Sequence, residues 1–143
     1  MKECYIDTSV LGAYYTPEPL SEKAQAFLRR TELPVISMLT EVELCSLVAK
    51  KIRVGDFGTI QGRRIINEFR RHLGEGYFRI IEPEQKHYAR AVEMLAAFKT
   101  PLRSLDALHL AIVMAENLPV VTADATFARA ARDFGATVKI LRT

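Results

Sequence analysis

Five short apolar runs, each followed within a few residues by a helical stretch, constrain this chain more than any other feature of its sequence. The runs are Cys4–Tyr5–Ile6, Pro34–Ser37, Tyr77–Ile81, Pro119–Thr122 and Val138–Leu141. They are too short for helices and mostly apolar, so they read as strands of a sheet covered on both faces. Between them, helical periodicity covers Ser9–Tyr15, Glu22–Arg30, Leu39–Lys51, Phe57–Leu73, Glu84–Phe98, Leu105–Asn117 and Thr126–Phe134, the last closed by Gly135. Strands alternating with helices predict an α/β fold: a central parallel sheet of about five strands flanked by helices. Two helices follow one another directly across Val54–Gly55, so an αα-hairpin is expected as well. The 143 residues contain no repeat or linker and fit one domain spanning 1–143.

In open α/β sheets, ligands bind off the carboxyl ends of the strands. Asp7 stands just after the first strand and Asp124 shortly after the fourth. Glu43 shares a helix face with Leu39 and Leu47 in an apolar neighbourhood, where a carboxylate loses hydration unless a cation or strong hydrogen bonds replace it. Glu41 points away from that face. Asp106 opens the most apolar helix in the chain. Each acid also has a purely structural role open to it. Asp7 and Asp124 suit N-caps, Glu43 suits a capping box with Thr40 as N-cap, and Asp106 suits an acidic first turn after a Ser104 cap. Four carboxylates in one crevice would repel one another and raise their pKa values unless divalent cations were present. Oxygen donors without a Cys or His set suit Mg²⁺ or Mn²⁺.

Composition allows this without requiring it. The net charge of +3 tolerates a polyanionic partner but does not demonstrate one. Cys4 and Cys45 have no metal-type spacing and read as buried free thiols in a reducing compartment. No signal pattern and no apolar stretch of membrane-spanning length is seen, so a cytoplasmic protein without membrane association is expected.

Four segments resemble the successive acidic motifs of PIN-domain nucleases, and most closely the VapC-type toxins of toxin–antitoxin pairs. They are Tyr5-Ile6-Asp7-Thr8-Ser9-Val10-Leu11, Ser37-Met38-Leu39-Thr40-Glu41-Val42-Glu43-Leu44, Leu105-Asp106-Ala107-Leu108-His109-Leu110-Ala111 and Val121-Thr122-Ala123-Asp124. They occur in the family's order, across the whole chain. The resemblance implies a Mg²⁺- or Mn²⁺-dependent endoribonuclease that hydrolyses RNA phosphodiesters with a metal-activated water. It also implies a homodimer held inactive by a cognate antitoxin protein. Asp7, Glu43, Asp106 and Asp124 fall on the family's acidic, metal-holding positions, and Thr8, Ser9 and Thr122 on its supporting hydroxyl positions. Ala125 and Thr126 stand where some members carry a further acid, so this site rests on four.

Other readings stay open: a housekeeping PIN nuclease, another metal-dependent phosphoesterase, or a non-catalytic RNA- or partner-binding module. His109 shares the Asp106 face but reads as a packed core histidine, and His72 and His87 read as surface residues. Arg63, Arg64, Arg70, Arg71 and His72, on the second helix of the hairpin, form either a solvated face or a positive lip for RNA. Arg103, just before the third acid, is the residue marked for phosphate contact. Tyr14 and Tyr15 suit either base stacking or a dimer interface.

Overall fold

The computed structural model describes residues 2–143. Five strands form one parallel sheet: β1 (Glu3–Ile6), β2 (Leu33–Ser37), β3 (Arg79–Ile81), β4 (Val120–Thr122) and β5 (Val138–Ile140), in the order β3-β2-β1-β4-β5. Tyr5 pairs with Val35 on one side and Val120 on the other, so β1 is central. Seven helices connect the strands: α1 (Thr8–Tyr15), α2 (Ser21–Arg30), α3 (Met38–Arg53), α4 (Thr59–Gly74), α5 (Gln85–Ala96), α6 (Ser104–Ala115) and α7 (Ala125–Asp133). The α/β class, the five-strand sheet and the helices on both faces match the expectation from sequence, and α3 and α4 form the expected helical hairpin. No helix among the described residues is long and apolar enough to cross a membrane.

The two-residue period of the strands divides the core into two layers. Tyr5, Val35 and Val120 face α5, α6 and α7, packing with Met94, Leu110, Ile112 and Phe127. Their neighbours Cys4, Ile6, Ile36 and Val121 face α1 to α4, packing with Leu11, Phe27, Leu44 and Phe69. Both faces of these strands are therefore dry, which is why the runs read as continuously apolar. Gly12 sits where α1 crosses α3; a Cβ there would come within 2.7 Å of a Leu47 methyl. Gly135 takes φ +91° as it ends α7, the left-handed backbone a C-terminal glycine supplies.

Several boundaries move from their expected places for local reasons. The third strand begins at Arg79 rather than Tyr77, because the Tyr77 N–H still donates to His72 O at the end of α4 and pairing with β2 starts at Arg79; the Tyr77 ring stacks flat on His72, 4.4 Å between centroids. The cap of α3 is Ser37, not Thr40: Ser37 Oγ accepts from Leu39 N–H, and Thr40 Oγ1 accepts from Ser37 N–H. Ser104 is the first helical residue of α6 rather than its cap. His72 and His87 are buried, not surface residues. His72 Nδ1 meets the Tyr15 hydroxyl at 2.6 Å, and His87 Nδ1 accepts from the Glu84 N–H at 2.8 Å. Cys4 is buried as expected, whereas Cys45 is partly exposed; both are free thiols.

Candidate active site

The strand order reverses at β1, since successive connections lead from it first toward β2 and later to β4. A crevice opens at such a switch point, off the carboxyl ends of the strands. Here a cavity of about 510 Å³ is lined by Asp7, Glu43, Asp106 and Asp124, with Thr8, Ser9, Val42, Ser46, Leu47, Lys50 and Leu105. All four acids marked in the sequence thus border one cavity, although they come from four separate segments.

Three of them share one pattern of attachment. Asp7 Oδ2 accepts from Ser9 Oγ at 2.5 Å and from Thr122 Oγ1 at 2.8 Å. Glu43 Oε1 accepts from Thr8 Oγ1 at 2.7 Å and bonds His109 Nε2. Asp124 Oδ1 accepts from the backbone N–H groups of Thr126 and Phe127, at 2.9 and 3.1 Å. Each carboxylate is fixed through one oxygen, and the other oxygen carries no hydrogen bond among the described residues. The hydroxyls are themselves held: Ser9 Oγ accepts from Ala123 N–H at 2.9 Å, and Thr122 Oγ1 accepts from Asp124 N–H at 3.0 Å. Thr122 therefore links the first acid to the fourth across the β1–β4 pairing.

Asp124 does cap its helix while lining the cavity, so its structural and site roles coexist. Asp7 occupies the N-cap position of α1 without capping it, because its side chain turns to Ser9 and Thr122. Glu43 takes no part in the α3 capping box. Asp106, half-buried, makes no hydrogen bond among the described residues. Burial first, then the charges of Asp7, Asp124 and Glu43, hold its carboxyl above the usual carboxylate range. Burial would likewise push Glu43 up, but the hydrogen bond and charge of His109, helped by Thr8, hold it below the ordinary value.

The donor set suits a hard divalent cation: anionic oxygens gathered in one cavity, with free oxygens on pre-oriented carboxylates. No three His, Cys, Asp or Glu side chains among the described residues close into a ready-made ligand cluster.

Of the two readings open for the basic residues of α4, the solvated face is the one that the structure favours. Arg63 and Arg64 are exposed on α4, Arg70 pairs with Glu41 at 3.7 Å, and Arg71 is clamped by Glu68 and Glu75; none lines the cavity. Arg103 is exposed at the start of α6, outside the lining. Lys50 does line it, and sequence reasoning passed it over. The signal was available, since Lys50 lies seven residues after Glu43 and so on the same face of α3. Tyr14 and Tyr15 sit at the far end of α1, packed with Phe69 and His72 away from the acids.

Comparison with known proteins bears on the family and the fold. A family model described as PIN domain matches residues 4–133. The sequence matches no curated protein. Among solved structures, the fold is similar to that of VapC20 from Mycobacterium tuberculosis, described as a sarcin–ricin loop cleaving toxin. The TM-score is 0.74 at 16% identity, over 89% of this chain and 94% of that one. It is also similar to FitAcB from Neisseria gonorrhoeae, with TM-score 0.69 at 21% identity over 96% of each chain. A third is VapBC2 from Rickettsia felis, bound to a DNA fragment from its promoter, with TM-score 0.68 at 18% identity over 99% and 100%.

Proposed function

Given that the chain belongs to the PIN-domain family, we propose that it is an endoribonuclease dependent on Mg²⁺ or Mn²⁺. We infer that it serves as the toxin of a toxin–antitoxin pair. The observation that carries the catalytic reading is the convergence of Asp7, Glu43, Asp106 and Asp124 on one cavity, three of them with an oxygen left free.

In this reading Asp7, Glu43, Asp106 and Asp124 would hold the ion, which would supply positive charge beside a phosphate and lower the pKa of a bound water. The chain's residues do the rest. Thr8, Ser9 and Thr122 fix the carboxylate orientations before anything binds, so little ordering is left to the reaction. Lys50 offers a cation at the cavity wall for a neighbouring phosphate, and Arg103 offers a second outside it. Val42 and Leu105, both exposed beside the acids, give an apolar lip against which an unstacked base can lie.

The toxin assignment and an antitoxin partner draw support from the toxin and toxin–antitoxin structures with this fold. A homodimer draws support from the exposed Tyr88 and Val92, four residues apart on α5, and from Phe98 just beyond that helix. Free thiols at Cys4 and Cys45 suit the reducing cytoplasm.

The test is incubation of a mixed tRNA and rRNA pool with the purified chain under Mg²⁺, Mn²⁺ and EDTA, beside Asp7→Asn. Discrete products that require the metal and vanish in the variant are expected. A folded, partner-free chain that leaves every RNA intact with either metal would overturn the nuclease reading in favour of a binding module.

A further inference from the structure

His109 is almost wholly buried in the middle of α6, and both of its ring nitrogens are engaged. Nε2 meets Glu43 Oε1, and Nδ1 lies 2.6 Å from the Tyr5 hydroxyl. That hydroxyl also lies 2.9 Å from Ser37 Oγ, and Ser37 Oγ accepts from Leu39 N–H as the cap of α3. The path therefore closes on itself, because α3 is the helix that carries Glu43. It runs from Glu43 through His109, Tyr5 and Ser37 back to the start of the same helix.

Proton bookkeeping gives the ring a direction. The tyrosine hydroxyl has a single proton. If that proton goes to Ser37, Nδ1–H donates to Tyr5 and the imidazole carries both protons. If it goes to Nδ1, the imidazole is neutral with its proton on Nε2. In both arrangements Nε2–H donates to Glu43 Oε1. The Thr8 hydroxyl donates to that same oxygen, so both bonds fall on one side of the carboxylate and Oε2 is left over.

We propose that His109, set by Tyr5 and Ser37, is a positioning residue that turns Glu43 Oε2 toward the cavity as a single-oxygen ligand for the divalent cation. The proposal rests on the metal-nuclease reading above and adds a role for a residue outside the four acids. The ring also ties together the elements behind three of those acids: β1, which ends just before Asp7; α3, which carries Glu43; and α6, which carries Asp106. Its loss would shift the acids relative to one another as well as freeing Glu43. A histidine whose imidazole only filled core space would leave ion affinity unchanged when replaced by a side chain of similar size.

Calorimetric titration of Mn²⁺ into the purified full chain measures the effect without any RNA. His109→Leu should weaken Mn²⁺ binding by about ten- to a hundred-fold, the usual cost of losing such a supporting bond. His109→Gln, which can place an amide N–H near the Nε2 position, should recover much of that loss. Tyr5→Phe removes one hydroxyl only and should weaken binding by a smaller factor. For RNA cleavage at saturating Mn²⁺, kcat should fall in His109→Leu while KM stays near the wild-type value. Thermal melting in EDTA shows which variants fold; if His109→Leu does not, His109→Gln and Tyr5→Phe carry the test. Wild-type Mn²⁺ affinity in a folded His109→Leu, or equal losses in His109→Leu and His109→Gln, would overturn the positioning role. Absence of Mn²⁺ binding by the wild-type chain would remove the metal reading itself and this role with it.

Discussion

Replacing Asp106 by asparagine should stabilise the metal-free protein while abolishing its cleavage. Asp106 is half-buried, makes no hydrogen bond among the described residues, and borders a cavity shared with three other carboxylates. Taken as a sphere, a cavity of about 510 Å³ is about 10 Å across. At an effective dielectric of about 20, each carboxylate pair spanning it repels by roughly 1.7 kcal/mol, reduced to about 0.5 kcal/mol near 0.15 M salt. Three such neighbours give about 1.5 kcal/mol, and relief of desolvation adds in the same direction. Lost attraction to the α6 dipole in its first turn subtracts about 0.5 kcal/mol. The expected net gain is about 1–2 kcal/mol, or a Tm increase of roughly 3–6 °C for a domain of this size.

The assay is calorimetric or circular-dichroism melting of both chains in EDTA, as a function of salt and pH. The folded-state pKa of Asp106 is raised, so its ionisation costs stability as pH rises through that value. The advantage of the variant should therefore vanish below about pH 4, grow as pH rises through the folded pKa, and shrink with added salt. Mg²⁺ should reverse the order, because only the wild type gains from binding it tightly. A variant that melts below the wild type in EDTA at pH 7 and low salt would refute the reasoning, since it would mean that the carboxylate has a stabilising partner.

Three further outcomes are expected. Glu43→Gln should abolish metal-dependent cleavage, while Glu41→Gln, which changes only an exposed acid 3.7 Å from Arg70, should keep it; parallel RNA-cleavage assays decide. Lys50→Ala should raise KM for RNA several-fold and lower the salt dependence of binding by about one unit of slope, with Mn²⁺ affinity unchanged by calorimetry. Burial pushes the Cys4 thiol up to about 12, so at pH 8 an aromatic disulfide reagent should label Cys45 and leave Cys4 intact until the protein unfolds, and Cys45→Ser should abolish native-state labelling.

Asp7 and Asp124 were legible because they stand where chain direction changes, after Tyr5–Ile6 and after Val120–Thr122, and Glu43 and Asp106 because each is an acid set in a largely apolar helical stretch. Their company was not local. Nothing near Glu43 in sequence announces that its partners are Thr8 and His109, 35 and 66 residues away. The capping assignment at Thr40 failed because Ser37 competes for the same turn, and only β2 ending at Ser37 decides between them. His72 and His87 were misplaced outside the core for a related reason. Their neighbours are polar, and burial is conferred by Tyr15 and Tyr77 around the one and by the Glu84 backbone against the other. The inner strands came through because β1 and β4 are buried and need apolar runs, whereas the edge strands β3 and β5, which carry Arg79 and Lys139, were marked by their β-branched residues instead.

The one-oxygen attachment of Asp7, Glu43 and Asp124 bears on which ions the cavity can select. A carboxylate already bonded through one oxygen is a poor bidentate chelator, since wrapping an ion with both oxygens would mean surrendering the Ser9, Thr8 or backbone N–H bonds. Ca²⁺, with six to eight ligands and a tolerance for bidentate grip, is handicapped by such an arrangement. Mg²⁺, small and octahedral with much of its water retained, is not. On the proposed metal reading, discrimination between the two ions lies in the groups that occupy one carboxylate oxygen, the Ser9, Thr122 and Thr8 hydroxyls, His109 and the first backbone N–H groups of α7, rather than in the acids themselves.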